Sequence, residues 1–258
     1  MATKFLFSGV GVALVTLFNE DGSLNAPATA DLAARLVDLG VTAVVVAGTT
    51  GEAAALSAEE RVELITTVRK TVPGLSGVPL IAGTGAPTTE EAVRYTEQAR
   101  DAGADAVLTL ALPHAPDQRP YYEAVVAAAG DMPVMGYHFP RVSAPGIEVD
   151  DLEGLPIAGL KDSSGDPGRL LQELDRWGRP LYSGSANLIT MAAAVGCAGM
   201  ILALANIEPE KCIDAWKGDA SAQLRLAKAI RASEARFPAS VKELVAARFG
   251  TPTTARLG

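Results

Sequence analysis

The chain has 258 residues, 48% of them hydrophobic and 20% charged, which suits one large barrel domain or two small ones and excludes a disordered chain. Its 22 Lys and Arg stand against 30 Asp and Glu, a formal net charge of -8, which opposes phosphate backbones, so no nucleic-acid partner is expected. Arg225, Lys228 and Arg231 stand at helical spacing and read as a solvated helix face. Two cysteines, Cys197 and Cys212, make no disulfide framework, so reduced thiols and a cytoplasmic setting are expected, with Cys197 in the core.

The run from Lys4 and Phe5 to Phe18 has the look of a leader. Asn19, Glu20, Asp21 and Gly22 follow it directly with no small-residue cleavage site, so it is expected to hold the first buried strand, residues 10–15, instead. Residues 28–39 place Leu32, Leu36 and Leu39 on one helix face. Residues 43–46 form a strand, followed by Gly48-Thr49-Thr50-Gly51-Glu52. Ser57 and Glu60 make a capping box that opens a helix reaching about Val72.

The same beat repeats. Strands are expected over 80–82, 106–110, 134–136, 157–160, 181–183 and 199–202. Helices are expected to about Ala102 from a cap at Thr88 or Thr89, then over 118–128, 149–152, 167–174 and 188–195. Eight strands alternating with helices, apolar on both faces, indicate a parallel sheet covered on both sides. At this length the expected fold is α/β, a closed (β/α)8 TIM barrel over residues 1–208. Residues 209–258 read as a short C-terminal helical appendage with helices over 210–216, 220–236 and 241–249. The longest apolar stretch, 195–207, is too short for a membrane span, so no membrane partner is expected.

Barrel enzymes work at the C-terminal ends of their strands, so the polar residues there are the candidates. In Gly48-Thr49-Thr50-Gly51-Glu52, glycines allow close approach, and two hydroxyls with free N–H groups suit a carboxylate; taken alone, the motif is a weak signal, and a tight turn capped by threonine also accounts for it. Gly83-Thr84-Gly85 repeats that pattern. Tyr137, after strand five, suits proton relay or simple packing. Lys161, directly after strand six, is the sharpest feature. A buried ammonium is costly unless paired, and a desolvated amine becomes a nucleophile toward carbonyl carbon. The alternative is an ion pair with Asp162 or a neighbouring strand's acid. Ser183-Gly184-Ser185-Ala186 suits phosphate. With only His114 and His138 and no metal-ligand spacing, no catalytic metal is expected, although clustered carboxylates could still hold magnesium.

Together, Gly48-Thr49-Thr50-Gly51-Glu52, Leu56-Ser57-x-x-Glu60-Arg61, Ile81-Ala82-Gly83-Thr84-Gly85, Tyr137-His138-Phe139-Pro140 and Gly159-Leu160-Lys161-Asp162-Ser163-Ser164-Gly165-Asp166 resemble, in order and spacing, the dihydrodipicolinate synthase / N-acetylneuraminate lyase family. The resemblance covers residues 9–250. It implies a class I, Schiff-base lyase or aldolase that joins or splits pyruvate, or another 2-oxo acid, and an aldehyde. In that reading Lys161 forms the imine with C2, Tyr137 shuttles protons, and Thr49 and Thr50 hold the carboxylate, with Thr49 passing a proton to Tyr137. Ile201 offers a backbone carbonyl near the imine. Gly48, Arg141 and Ser185 are expected to line the substrate, with specificity set around His114, Arg141 and Ser185.

The chain also departs from the synthase pattern. The loop after strand four, Leu112-Pro113-His114-Ala115-Pro116, lacks the synthase's tyrosine, and Arg141 stands off register. The reading preferred here is therefore a 2-keto-3-deoxy or 4-hydroxy-2-oxo acid aldolase. Dihydrodipicolinate (4-hydroxy-tetrahydrodipicolinate) synthase itself, a degenerate barrel that binds a small acid, and a phosphate-binding barrel enzyme stand behind it. A homo-oligomer is expected, a dimer or a tetramer, the C-terminal helical region being short for the family.

Overall fold

A computed structural model describes residues 6–72 and 77–257; Lys4 and Phe5 of the leader-like run lie outside the described residues. Eight strands form the barrel: β1 Gly9–Ala13, β2 Ala43–Val46, β3 Leu80–Gly83, β4 Ala106–Leu110, β5 Val134–His138, β6 Gly159–Asp162, β7 Leu181–Ser183 and β8 Gly199–Leu202. Each pairs in parallel with the next, and β8 pairs with β1 to close the ring. The strands are buried along nearly their whole length, as their continuous apolar character requires when helices cover the outer face.

The ring of helices comprises α1 Ala26–Asp38, α2 Ala58–Thr71, α3 Thr89–Asp101, α4 Arg119–Ala129, α5 Pro167–Trp177, α6 Ile189–Ala194 and α7 Pro209–Trp216, with a 3₁₀ turn, Val149–Gly154, between β5 and β6. Side chains fix several starts. Ser57 and Glu60 form the capping box of α2, Thr88 caps α3, and Asp166 caps α5 through the N–H groups of Gly168 and Arg169. Each satisfies donors that have no partner within the helix.

The apolar interior divides in two. Ala13, Val45, Ile81, Leu108, Met135, Tyr137, Tyr182 and Ile201 fill the barrel lumen. A larger cluster lies between strands and helices, and it takes in Leu226 and Ile230 of α8 (Ala220–Glu234) and Val241 and Val245 of α9 (Ala239–Phe249). Arg225, Lys228 and Arg231 are exposed, as a solvated face should be. Cys197 and Cys212 are buried and unpaired. Among the described residues, no helix is long and apolar enough to cross a membrane.

Two boundaries shift in ways that bear on the chemistry. Strand five runs on to His138, and β6 covers Gly159–Asp162 rather than residues 157–160. Tyr137 and Lys161 therefore lie within their strands, not after them. The ladder extends because Tyr137 pairs with Lys161 and His138 with Asp162: backbone groups make the ladder, so it continues through polar residues. At the other end, β1 stops at Ala13 rather than residue 15: the Val15 N–H donates to Asn206 Oδ1 (3.1 Å), and Asn206 Nδ2 donates to the Ala13 carbonyl (2.7 Å).

Candidate active site

Register decides which polar residues enter the barrel. Leu110 pairs with Tyr137, Tyr137 with Lys161, and Lys161 with Tyr182. In a parallel ladder, paired residues share a face, and Tyr137 and Tyr182 belong to the lumen cluster. Lys161 is thus held in the lumen row, 5% exposed, with Nζ 4.2 Å from the centroid of the Tyr137 ring. Among the described residues, Lys161 makes no ion pair. The neighbouring Asp162 points the other way, where its carboxylate accepts from the backbone N–H and hydroxyl of Ser164 (2.7 and 2.8 Å). The ion-pair alternative for Lys161 therefore finds no partner in Asp162. The Tyr137 ring stacks on Phe139 at 5.8 Å. Ile201 lies in the same lumen, on β8.

Gly184 brings the end of β7 against the lysine stem. A Cβ at this position would stand 1.9 Å from Ser163 Oγ and 3.0 Å from Lys161 Cε, so only glycine fits without displacing both. The sequence reading placed Gly184 in a phosphate loop; its observed setting is a packing surface for Lys161. Ser185 is half-buried, with Oγ 3.5 Å from where a Cβ on Gly165 would sit, so it lies beside the loop that follows β6.

The loop after β2 is a tight, internally bonded turn. Gly51 and Ala53 donate to the Gly48 carbonyl, and Glu52 donates to that of Thr49. These bonds occupy the N–H groups of Gly51 and Glu52, so among the described residues the loop's backbone donors without a partner are those of Gly48, Thr49 and Thr50. Thr50 is buried and Thr49 half-buried, and among the described residues neither hydroxyl is hydrogen-bonded. Arg61 clamps this loop to the next one. Its guanidinium donates to the carbonyls of Gly83 (3.0 Å) and Ala53 (2.5 Å) and lies over the Tyr95 ring.

Gly83-Thr84-Gly85, by contrast, is structural. A Cβ on Gly83 would stand 2.1 Å from the Ala47 carbonyl oxygen, and Thr84 shares a buried hydrogen bond with Thr109 (2.8 Å). Arg141 and His114 are both exposed. His114 takes a left-handed backbone conformation, and its N–H donates to the Ala144 carbonyl (2.8 Å), which ties the loops after β4 and β5 together.

Several residues escaped the sequence reading. Tyr121 and Tyr122 donate to the carbonyls of Leu110 and Thr109, and the Tyr122 hydroxyl accepts from the Tyr137 N–H (3.4 Å), so α4 grips the strand that carries Tyr137. Arg169 and Glu173 look like a surface i,i+4 pair, yet Glu173 is wholly buried, 2.8 Å from Arg169 Nε. Burial, with the nearby Asp162 charge adding to it, raises the Glu173 carboxyl to about 8. Burial also raises Asp162 and lowers His138 to about 4, helped by Arg169. The one available signal was the acid four residues after an arginine, and that signal does not distinguish a buried pair from an exposed one.

Comparisons with known proteins identify the family. Residues 6–246 match the dihydrodipicolinate synthetase family. The chain is 36% identical over 225 residues to an uncharacterized DapA-like lyase of Halobacterium salinarum, covering 81% of this chain and 71% of that one. It is 36% identical over 217 residues to the 4-hydroxy-tetrahydrodipicolinate synthase of Corynebacterium aurimucosum, with the same coverage. The chloride-inhibited dihydrodipicolinate synthase of Acinetobacter baumannii, solved with pyruvate, superposes with a TM-score of 0.88 at 28% identity, over 98% of this chain and 92% of that one.

Proposed function

We propose, starting from the fact that this chain belongs to the dihydrodipicolinate synthetase family, that it makes or breaks a carbon–carbon bond between a 2-oxo acid such as pyruvate and an aldehyde, through an imine on Lys161. It is a lyase of that family; the imine, the residue roles and the substrates are the reading argued here. The observation that carries this reading is the buried Lys161 amine, 4.2 Å from the Tyr137 ring centroid with no acid paired to it among the described residues. Pyruvate in the Acinetobacter baumannii relative supports the choice of acid.

The uncharged amine of Lys161 attacks C2 of the 2-oxo acid. The Tyr137 hydroxyl passes a proton to the oxygen that leaves as water, and an imine remains. The protonated imine draws electrons from the C3–C4 bond while the Tyr137 phenolate left by the first transfer takes the C4 hydroxyl proton, so a 4-hydroxy-2-oxo acid splits into an aldehyde and an enamine; in reverse the enamine adds to the aldehyde and the phenol returns the proton. Thr49 and Thr50 hold the carboxylate, with Gly48 giving close approach and Thr49 relaying a proton to Tyr137. The Ile201 carbonyl faces the imine. Arg141 and Ser185 meet the aldehyde-derived part of the substrate, which as a whole is a 2-keto-3-deoxy or 4-hydroxy-2-oxo acid. The chemistry needs no metal and no organic cofactor. We place the enzyme in the cytoplasm as a homo-oligomer, a dimer or a tetramer; the exposed Leu224 and Phe237 support association.

Borohydride reduction in the presence of pyruvate, followed by peptide mapping, tests this. A pyruvate-derived adduct on Lys161, absent in Lys161→Ala, is the expected result. A folded protein with no adduct overturns the reading.

The synthase reading, pyruvate condensing with aspartate semialdehyde, is favoured by the names of curated relatives. Against it stands a loop after β4, residues 112–116, with no tyrosine. Turnover with that semialdehyde exceeding turnover with every hydroxylated oxo acid tried would establish it.

A further inference from the structure

The segment after α9 runs back to the loop after β2 and binds it from behind. The Arg256 guanidinium reaches three parts of the chain: it donates to the Gly22 carbonyl (2.8 Å), to the Ala55 carbonyl (2.8 Å), and to both oxygens of Glu60 (2.8 and 2.6 Å). The backbone N–H groups of Arg256 and Leu257 both donate to Glu52 Oε2 (2.7 and 2.6 Å). The other Glu52 oxygen pairs with Lys242, and both side chains are wholly buried. Lys242 also donates to the Thr254 carbonyl (2.8 Å). Lys242 and Arg256 each stand 4.2 Å from the Phe18 ring centroid.

Glu52 belongs to the loop whose preceding residues are Thr49 and Thr50. It has φ of 55°, a left-handed conformation that a glutamate keeps only where its surroundings impose it. Those surroundings are Lys242 and the two N–H groups of residues 256 and 257. A buried carboxylate is tolerated when its charge and lone pairs are all matched, and here two of the three partners come from the segment that Arg256 pins down. Between Thr50 and Glu52, the Gly51 carbonyl accepts from Thr16 Oγ1 (2.7 Å). The two threonines are therefore carried on a turn whose C-terminal side is held by residues about two hundred positions away.

We infer that Glu52 and residues 251–257 form a latch that sets the Thr49–Thr50 turn, making Glu52 and Arg256 positioning residues for the carboxylate of the 2-oxo acid. The inference rests on the carboxylate role proposed above for Thr49 and Thr50. Neither residue touches the reacting atoms, so loosening the latch should weaken capture of the acid and leave the amine competent.

The test combines two readouts on the full chain, with Arg256→Ala, the milder Leu257→Pro, which deletes a single N–H donor to Glu52 at a half-exposed position, and Arg256→Lys as the conservative variant. Hydrogen exchange reports the turn: in Arg256→Ala the amides of residues 47–56 should exchange about tenfold faster, and those of β4 to β6 should be unchanged. Borohydride trapping reports function: half-labelling of Lys161 should need about tenfold more pyruvate in Arg256→Ala and about threefold more in Leu257→Pro, with full labelling at saturation. Arg256→Lys, which keeps the Glu60 pair, should recover part of the loss. Unchanged exchange, or faster exchange with an unchanged pyruvate requirement, overturns the inference. No trapping in the unaltered protein overturns the aldolase reading and the carboxylate role with it; the exchange rates then decide separately whether the segment holds the turn.

Discussion

Lys161 and Tyr137 are register partners on adjacent strands, and the lysine nitrogen lies over the tyrosine ring, 4.2 Å from its centroid. The contact follows from backbone pairing: two residues matched in a parallel ladder must point the same way, and here that way is the lumen. The amine and the phenol that the proposed reaction would use are thereby brought together by β5 and β6 without any contribution from a loop.

Lys161→Ala is expected to abolish the reducible adduct with pyruvate and to lower turnover by roughly a thousandfold or more, since among the described residues no other amine occupies the lumen row. Intact mass after borohydride treatment checks the first outcome, and a steady-state assay the second. An adduct that persists on another lysine would remove Lys161 from the mechanism.

Tyr137→Phe keeps the ring beneath the lysine and deletes only the hydroxyl. Imine formation should slow and turnover should fall by roughly 10²–10⁴-fold, the range for a lost proton donor. Single-turnover trapping kinetics separate this from a folding defect, because the final extent of labelling should match that of the unaltered protein. A variant as fast as the parent would leave Tyr137 as packing alone.

Gly184→Ala introduces a methyl group 1.9 Å from Ser163 Oγ. Overpacking of this kind destabilises by about 1–3 kcal/mol, and the displaced lysine stem should slow imine formation. Adding Ser163→Gly removes the obstructing side chain, so the double variant should recover most of both losses, measured by denaturant unfolding and by trapping rate. Additive losses would show that Ser163 is not the obstacle.

Glu173 provides a pH test remote from the lumen. Its folded-state value near 8 lies above the ordinary carboxylate range, so the native state holds a proton that the unfolded chain releases. Stability contributed by this group is fully present below the unfolded value and is lost as pH rises toward about 8. Glu173→Gln should flatten that decline, leaving the protein on the order of 2 kcal/mol more stable than the parent at pH 8.5 and little changed at pH 5, by thermal or urea melts. His138, lowered to about 4, acts in the opposite sense: its contribution is lost as pH falls from about 6.5 toward 4. A Glu173→Gln variant with the parent's slope between pH 5 and 8 would assign the decline to other groups.

Much of this was legible beforehand because it is local. The apolar strands, the capping box at Ser57 and Glu60, and the Thr88 cap are short-range patterns, and the structure reproduces them. The motif residues Thr49, Thr50, Tyr137 and Lys161 could be picked out because they interrupt or follow apolar runs. The end of β6 was placed too early because a lysine and an aspartate look like the close of a strand; a ladder needs only backbone groups, and it continues through both. Gly83-Thr84-Gly85 resembled a binding loop because its glycines answer to close packing against Ala47 and Leu110, which composition does not separate from close approach to a ligand.

By itself the sequence determined the eight-beat alternation, hence the barrel, and the presence of an amine, a phenol and two hydroxyls near strand ends. Tertiary structure alone decided that Lys161 faces inward while Asp162 faces out, that Arg169 and Glu173 are buried together, and that Arg256 reaches Glu60 across 196 residues of chain. The physical reason is the same in each case. Side-chain direction in a strand reverses with every residue, so register decides it, and register, like a long-range ion pair, depends on contacts between segments far apart in the chain.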